Sequence, residues 1–176
     1  METLKIIGAS ILAAIVYGIA HDQVTARIYL PYFTVFHPPV FHTQSPTLQA
    51  LGWGIIATWW MGAFLGVLLA ISCRAGGSPT LTLSDMVRPI ALLLLVMACC
   101  ALVAGVIGFK WGHAPQEMEG LLTPTAERRF LGVWWAHSAS YASGFIGGIC
   151  LCVIAVAKRM RARRYTNAVL RRNVAG

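Results

Sequence analysis

Charge is scarce in this chain, and acidic charge is scarcer still. Only 11% of the 176 residues are charged, and only six are Asp or Glu. Soluble domains carry about 25% charged residues, so this composition argues against one. Cysteine is present five times but in no reactive pattern. Cys73, Cys99, Cys100, Cys150 and Cys152 all fall inside apolar runs or at their inner ends, away from the loops where oxidation makes bridges. Cys150-Leu-Cys152 has the wrong spacing for a thioredoxin-type pair. The plain reading is that they are small apolar packing residues. There is no Cys-x-x-Cys-His for covalent haem, no His-x-x-x-His box of the desaturase kind and no Gly-x-Ser-x-Gly nucleophile elbow. These absences leave no motif with a known reaction.

Long apolar runs are what the chain does have. They cover 4–20, 48–71, 89–109 and 130–157, and 57% of all residues are hydrophobic. A bilayer core needs roughly 20 mostly apolar residues as a helix. The first run is short, and 17–28 extends it into the interface. The runs are continuous and do not alternate, which favours helices over a barrel. The expected fold is therefore an all-α membrane protein: a four-transmembrane-helix antiparallel bundle in one domain, 1–176. Its helices are expected at about 4–28, 48–72, 85–109 and 124–160, with an ordered outer loop between the first two.

The net charge of +8 orients the bundle. Ten basic residues fall on one side, from Lys5, Arg74 and Arg88 to the run between Lys158 and Arg172. Only Arg27, Lys110, Arg128 and Arg129 fall on the other. The positive-inside rule then places both termini in the cytoplasm of a bacterial inner membrane, with loops 21–47 and 110–129 outside. The basic tail 158–176 is expected to lie against anionic headgroups, and nucleic acid is not an expected partner. Gly18-Ile19-Ala20 resembles a signal-peptide cleavage site, but a lone Lys beside Glu2 makes a poor leader, so the first run is read as a retained helix.

Local signals support this division. Gly76-Gly77-Ser78-Pro79 marks a turn. Thr82 to Asp85 offers a helix cap, and Thr123-Pro124 a cap followed by proline at the first helical position. Ala136, Ser140, Gly144, Gly148 and Cys152 recur every four residues, and Gly62-x-x-x-Gly66 adds a second small stripe. Small residues let membrane helices approach closely. Packing inside the bundle is the simpler use of these stripes, and a homodimer face is the rival.

All five histidines (His21, His37, His42, His113 and His137) fall at the outer end of this topology. Imidazole suits both metal binding and proton transfer near neutral pH. His137 lies eight residues after Arg129, roughly 12 Å into the membrane at 1.5 Å per residue, with Tyr141 one turn deeper. An ionisable group at that depth is a functional candidate. The plainer alternative is a neutral imidazole bonded to a partner such as Thr58. Loop 21–39 is expected to be ordered: Pro31 disfavours helix at Leu30, Tyr32, Thr34 and Phe36 are expected to point one way from an extended segment, and Pro38-Pro39 stiffens the exit. Asp22 and Arg27 are the expected ion pair, since charges near lipid must be paired or turned into a cavity. Trp60 and Trp59 sit deeper than the interfacial Trp53, Trp111, Trp134 and Trp135, and read as pocket wall or bundle core. His42 and His113 read as solvated.

The candidate site follows. His21, Asp22 and His137 are the catalytic candidates; Thr25, Arg27, Tyr32, Tyr141 and Trp60 are candidate ligand contacts; His21, His37 and His137 are candidate metal ligands. The expected cofactor is a transition metal or a b-type haem, the latter needing two facing histidines. Two rival readings stand beside this pocket: an accessory subunit whose loop 21–47 binds a membrane-protein partner, and a small transporter or channel, which the apolar inner halves of the helices oppose.

The string His21-Asp22-Gln23-Val24-Thr25-Ala26-Arg27, with Tyr32-Phe33-Thr34 and His37-Pro38, resembles a group of small four-helix bacterial membrane proteins of uncharacterised activity. The resemblance extends to 53–60 and 135–141. It implies the four-helix fold and no activity. It also implies an acidic residue at the position held here by Pro31, so any carboxylate role there is absent from this chain.

Overall fold

The computed structural model describes residues 1–38, 40–77, 79–116 and 120–175. Pro39 and Ser78, parts of the expected loop exit and inner turn, lie outside them. Each apolar run becomes a helix long and apolar enough to cross a membrane: Glu2–Ile28, Pro46–Arg74, Leu83–Trp111 and Pro124–Asn173. In chain order the elements are α1 (Glu2–Ile28), α2 (Pro31–Thr34), α3 (Pro46–Ile56), α4 (Trp59–Arg74), α5 (Leu83–Trp111) and α6 (Pro124–Ala175). No strand occurs among the described residues. The lipid-facing surface is aliphatic, with Leu92, Leu95 and Leu102 all more than 60% exposed on α5. In a bilayer that exposure carries no penalty.

The bundle is two helix pairs laid side by side. In one, α1 packs along both α3 and α4; in the other, α5 packs along α6; the α4–α6 contact joins them most broadly. Small residues allow the first pair. A Cβ on Gly54 would meet the backbone of Ile19 at 2.6 Å, and one on Gly62 would meet the Ser10 carbonyl at 2.8 Å. Gly66 likewise faces Ser10, so the Gly62-x-x-x-Gly66 stripe is used inside the bundle. On α6, Gly144 receives Met97 and Gly148 receives Leu65.

The second span is interrupted. Thr58 Oγ1 donates back to the Gly54 carbonyl, and the Thr58 amide reaches only three residues back, to Ile55. Such tightening and back-bonding bend membrane helices, and here they split the expected single helix 48–72 into α3 and α4. A second departure is at the C-terminus. The last helix was expected to end near residue 160, but α6 runs on through its basic segment to Ala175. At 1.5 Å per residue its 52 residues span about 78 Å, far more than the roughly 30 Å hydrocarbon core. Nothing in 158–173 breaks helical propensity: proline and glycine are absent and arginine, a good helix former, occurs six times.

Glu2, Arg159 and the α4–α5 turn meet at one end of the bundle. Glu2 Oε2 accepts from the Leu83 amide at 3.3 Å. Arg159 donates to the carbonyls of Pro79 and Ser72 at 2.8 and 2.9 Å, and also to those of Ala75 and Gly77. Thr82 and Asp85 form a reciprocal capping box that starts α5. A core of Ile6, Leu69, Met86 and Leu151 closes this basic end. A second core closes the opposite end, where Tyr29, Tyr32 and Phe33 pack on Phe130, Leu131 and Val133 of α6.

Candidate functional site

Between the two closed ends the helix pairs stand apart, leaving a cavity of about 340 Å3. His21, Asp22, Tyr32, His37, Trp53 and His137 line its far end. Helices α1, α3 and α6 and the loop between α1 and α3 each contribute to this end. Helix α1 does not stop at residue 20 but continues to Ile28, which carries His21 and Asp22 in as helical residues. His137 comes from the fourth turn of α6.

The loop behaves differently from the extended segment expected for it. Pro31–Thr34 is a helical turn with proline at its first position, where the missing N–H costs nothing. Leu30 is itself helical, with φ −58° and ψ −36°, although a following proline disfavours that conformation. Tertiary burial outweighs the local preference: Phe33 is 2% and Tyr32 8% exposed. The turn drops both rings onto α6. Gln49, fully buried, then holds the loop exit by donating to the carbonyls of Phe41 and Thr43, both at 3.0 Å.

The rings form a continuous column. Tyr17 stacks on His21 at 5.8 Å, His21 meets His137 edge to face at 4.6 Å, and His137 stacks on Tyr32 at 4.8 Å. Tyr32 then contacts His37 at 4.7 Å, and His37 contacts Trp53 at 5.2 Å. The Tyr32 ring therefore stands between His37 and His137. Burial of Tyr32 pushes its phenol up to about 12, so it is neutral at any physiological pH and serves as packing surface.

Asp22 and His137 pair directly: Nε2 lies 3.1 Å from Asp22 Oδ1, with the side chains only 7% and 12% exposed. The other ring nitrogen, Nδ1, lies 2.9 Å from the Val133 carbonyl. Both imidazole nitrogens thus face oxygen acceptors. A neutral ring has one N–H, so it satisfies only one of them. The second contact needs an added proton on the pair or a cation in place of that proton. Beside this pair, His21 Nε2 is buried with no hydrogen-bond partner. One ligand atom from each of His21, Asp22 and His137 lies within 4.8 Å of the others.

The other anticipated residues are distributed more widely. Tyr141 and Trp60 line the cavity, and both are partly exposed to lipid. Thr25 is buried but outside the lining; its hydroxyl donates to the His21 carbonyl at 3.2 Å. Arg27 is exposed on the rim, donating to Gln23 Oε1 at 2.6 Å and Thr47 Oγ1 at 2.9 Å. The expected Asp22–Arg27 ion pair is not formed, because Arg27 points across α1 to the start of α3 while Asp22 turns inward to α6. Nor does His137 bond Thr58. His37 Nδ1 lies 2.6 Å from the Tyr32 carbonyl, and the intervening Tyr32 ring separates it from the three-residue cluster. His42 and His113 are exposed. Trp59 is half exposed and lies outside the cavity lining, so it is neither wall nor core.

Two contributors were not anticipated. Trp53, by its sequence position an interfacial belt residue, instead lines the cavity with its indole nitrogen buried and unpartnered. Tyr17 crosses the cavity to Ser140, oxygen to oxygen 2.7 Å. Both contacts depend on helix rotation, for which the sequence carried no signal. Comparison of the chain with protein families, curated proteins and solved structures finds no match.

Proposed function

We propose that the chain is an integral membrane protein that holds a transition metal ion through His21 Nε2, Asp22 and His137 Nε2, at the extracytoplasmic side of a bacterial inner membrane. One observation carries this: the unpartnered His21 nitrogen lies beside an Asp–His pair whose acceptors outnumber its protons. A cation resolves both deficits. The Val133 carbonyl accepts from Nδ1–H, which leaves the Nε2 lone pair free to ligate; this outer hydrogen bond is a usual companion of metal-bound histidine.

Two imidazoles and a carboxylate suit zinc, iron or copper. Ligands about 2.1 Å from a tetrahedral ion stand roughly 3.4 Å apart; Asp22 Oδ1 and His137 Nε2 already stand 3.1 Å apart, so binding draws His21 toward that pair. Three protein donors also leave a coordination position facing the cavity, the pattern of reactive rather than structural sites. Bis-histidine haem does not fit. The rings of His21 and His137 touch, with no gap for a macrocycle, and Tyr32 fills the space between His137 and His37. A transmembrane polar path is not supported either, since the half of the cavity toward the basic end is aliphatic.

The test is metal analysis of detergent-purified protein, before and after chelation and reloading. Wild type is expected to bind one ion per chain. His137→Ala and Asp22→Ala are expected to lose it, and His42→Ala, on an exposed loop, to retain it. Wild-type protein that takes up no transition metal after reloading would sink the assignment.

A further inference from the structure

The cavity continues well beyond the proposed ion. On α6 its lining runs from His137 through Tyr141, Phe145 and Gly148 to Leu151, about 21 Å along the helix. That is most of one hydrocarbon core of roughly 30 Å. Its polarity is graded. Ionisable side chains cluster at the far end; toward the basic end the walls are Leu65, Leu69, Leu93 and Met97. Ser10, the single hydroxyl there, is turned away to the Ile6 carbonyl at 2.9 Å.

The way in is lateral. Trp60 on α4 and Tyr141 and Phe145 on α6 line the cavity and are 48%, 41% and 45% exposed on the bundle surface. The opening therefore lies between α4 and α6 and faces acyl chains, so the occupant comes from the membrane. Among the described residues no lysine or arginine lines the cavity, which leaves an anionic headgroup without a counter-charge. Trp53 Nε1 is buried at the polar end with no acceptor. Indole can only donate, so the missing partner is an oxygen or nitrogen acceptor. The walls beside it are aromatic faces.

We propose that this cavity binds a neutral membrane amphiphile of the quinone class. Its planar, carbonyl-bearing head sits against the Tyr32–His37–Trp53 rings and accepts from Trp53 Nε1, and its hydrocarbon tail runs down the slot between Leu65 and Leu93. A volume of about 340 Å3 falls within the range of small-molecule pockets, about 300–1,000 Å3. This binding does not depend on the metal.

The test is calorimetric titration of chelator-stripped protein in detergent with a fully substituted benzoquinone bearing a decyl tail. Expected is saturable binding of one molecule per chain. Trp53→Phe is expected to weaken it about fivefold, the worth of one neutral hydrogen bond. Ala13→Leu, which projects into the slot, is expected to abolish it; Ser10→Leu serves the same end one turn away if Ala13→Leu does not fold. The same head without its tail is expected to bind at least tenfold more weakly. Uptake that does not saturate, or that is equal in wild type and folded variants, is micelle partition and overturns the proposal. So does stoichiometric co-purification of a phospholipid that the quinone fails to displace. Because the ion is removed first, failure of the metal assignment leaves this result intact, and the reverse holds too.

Discussion

Asp22 and His137 are 115 residues apart in the chain and form the one cross-bundle carboxyl–imidazole contact among the described residues. Removing one partner leaves the other buried polar group unsatisfied, at a cost of about 2 kcal/mol. His137→Ala is therefore expected to lower the thermal unfolding temperature of chelated protein, whereas His113→Ala, on an exposed loop, is expected to leave it unchanged. The loop phenols provide a second residue-level check. Burial raises Tyr29 above the usual tyrosine value and Tyr32 to about 12. A folded-state value above the unfolded one favours folding at lower pH. That contribution is complete below pH 10 and declines as pH rises from about 10 through 12. In an ultraviolet titration, Tyr29→Phe and Tyr32→Phe are each expected to remove a late-ionising phenolate and leave the early ones in place.

At the scale of elements, close helix approach and end-pinning do different work. Gly18 and Gly54 face one another across α1 and α3 with no room for a methyl. Gly54→Ala must push α1 outward, and a cost of about 2 kcal/mol is expected in a denaturant unfolding series. At the basic end Arg159 is donor to four backbone carbonyls around the α4–α5 turn. Arg159→Ala leaves those carbonyls to water and is expected to cost about 2 kcal/mol. Arg159→Lys is expected to recover only part, because a compact ammonium does not span the same fan of acceptors. Protease sensitivity between residues 74 and 82 would report the loosened turn.

For the molecule as a whole, orientation rests on charge. The basic end holds Arg74, Arg88 and the whole run from Lys158, and the histidine end has four basic residues, so the histidine cluster is expected outside. A fluorescent protein fused after residue 176 is expected to be bright. A phosphatase active only outside the cytoplasm is expected to work when inserted in loop 112–123. The reverse pattern would move the cluster to the cytoplasmic face and end its assignment to an extracytoplasmic process.

The architecture was largely legible from the chain, because spanning a bilayer imposes a length and a composition that can be read locally. Runs of apolar residues, the Thr82–Asp85 box and Thr123-Pro124 each act within a few residues, and their helices lie close to where those signals place them. Two boundaries departed. Thr58 breaks the second span through a hydroxyl contact that any threonine in a helix can make or decline. The basic tail stays helical because charge marks where the membrane ends without ending a helix.

The site was legible only in its ingredients. Residue types nominated His21, Asp22 and His137, but partner choice depends on how each helix is rotated about its axis. That rotation follows from packing at Gly54, Gly62 and Gly144, which carry no ionisable side chain. It turns Asp22 toward α6 and away from Arg27, sets Tyr32 between two histidines and brings Trp53 in from the interface. Sequence by itself determined a four-helix membrane bundle with its histidines at one end, since hydropathy and charge act residue by residue. Tertiary structure alone decided which of those groups meet and what cavity they close, since contacts between distant helices have no local signature.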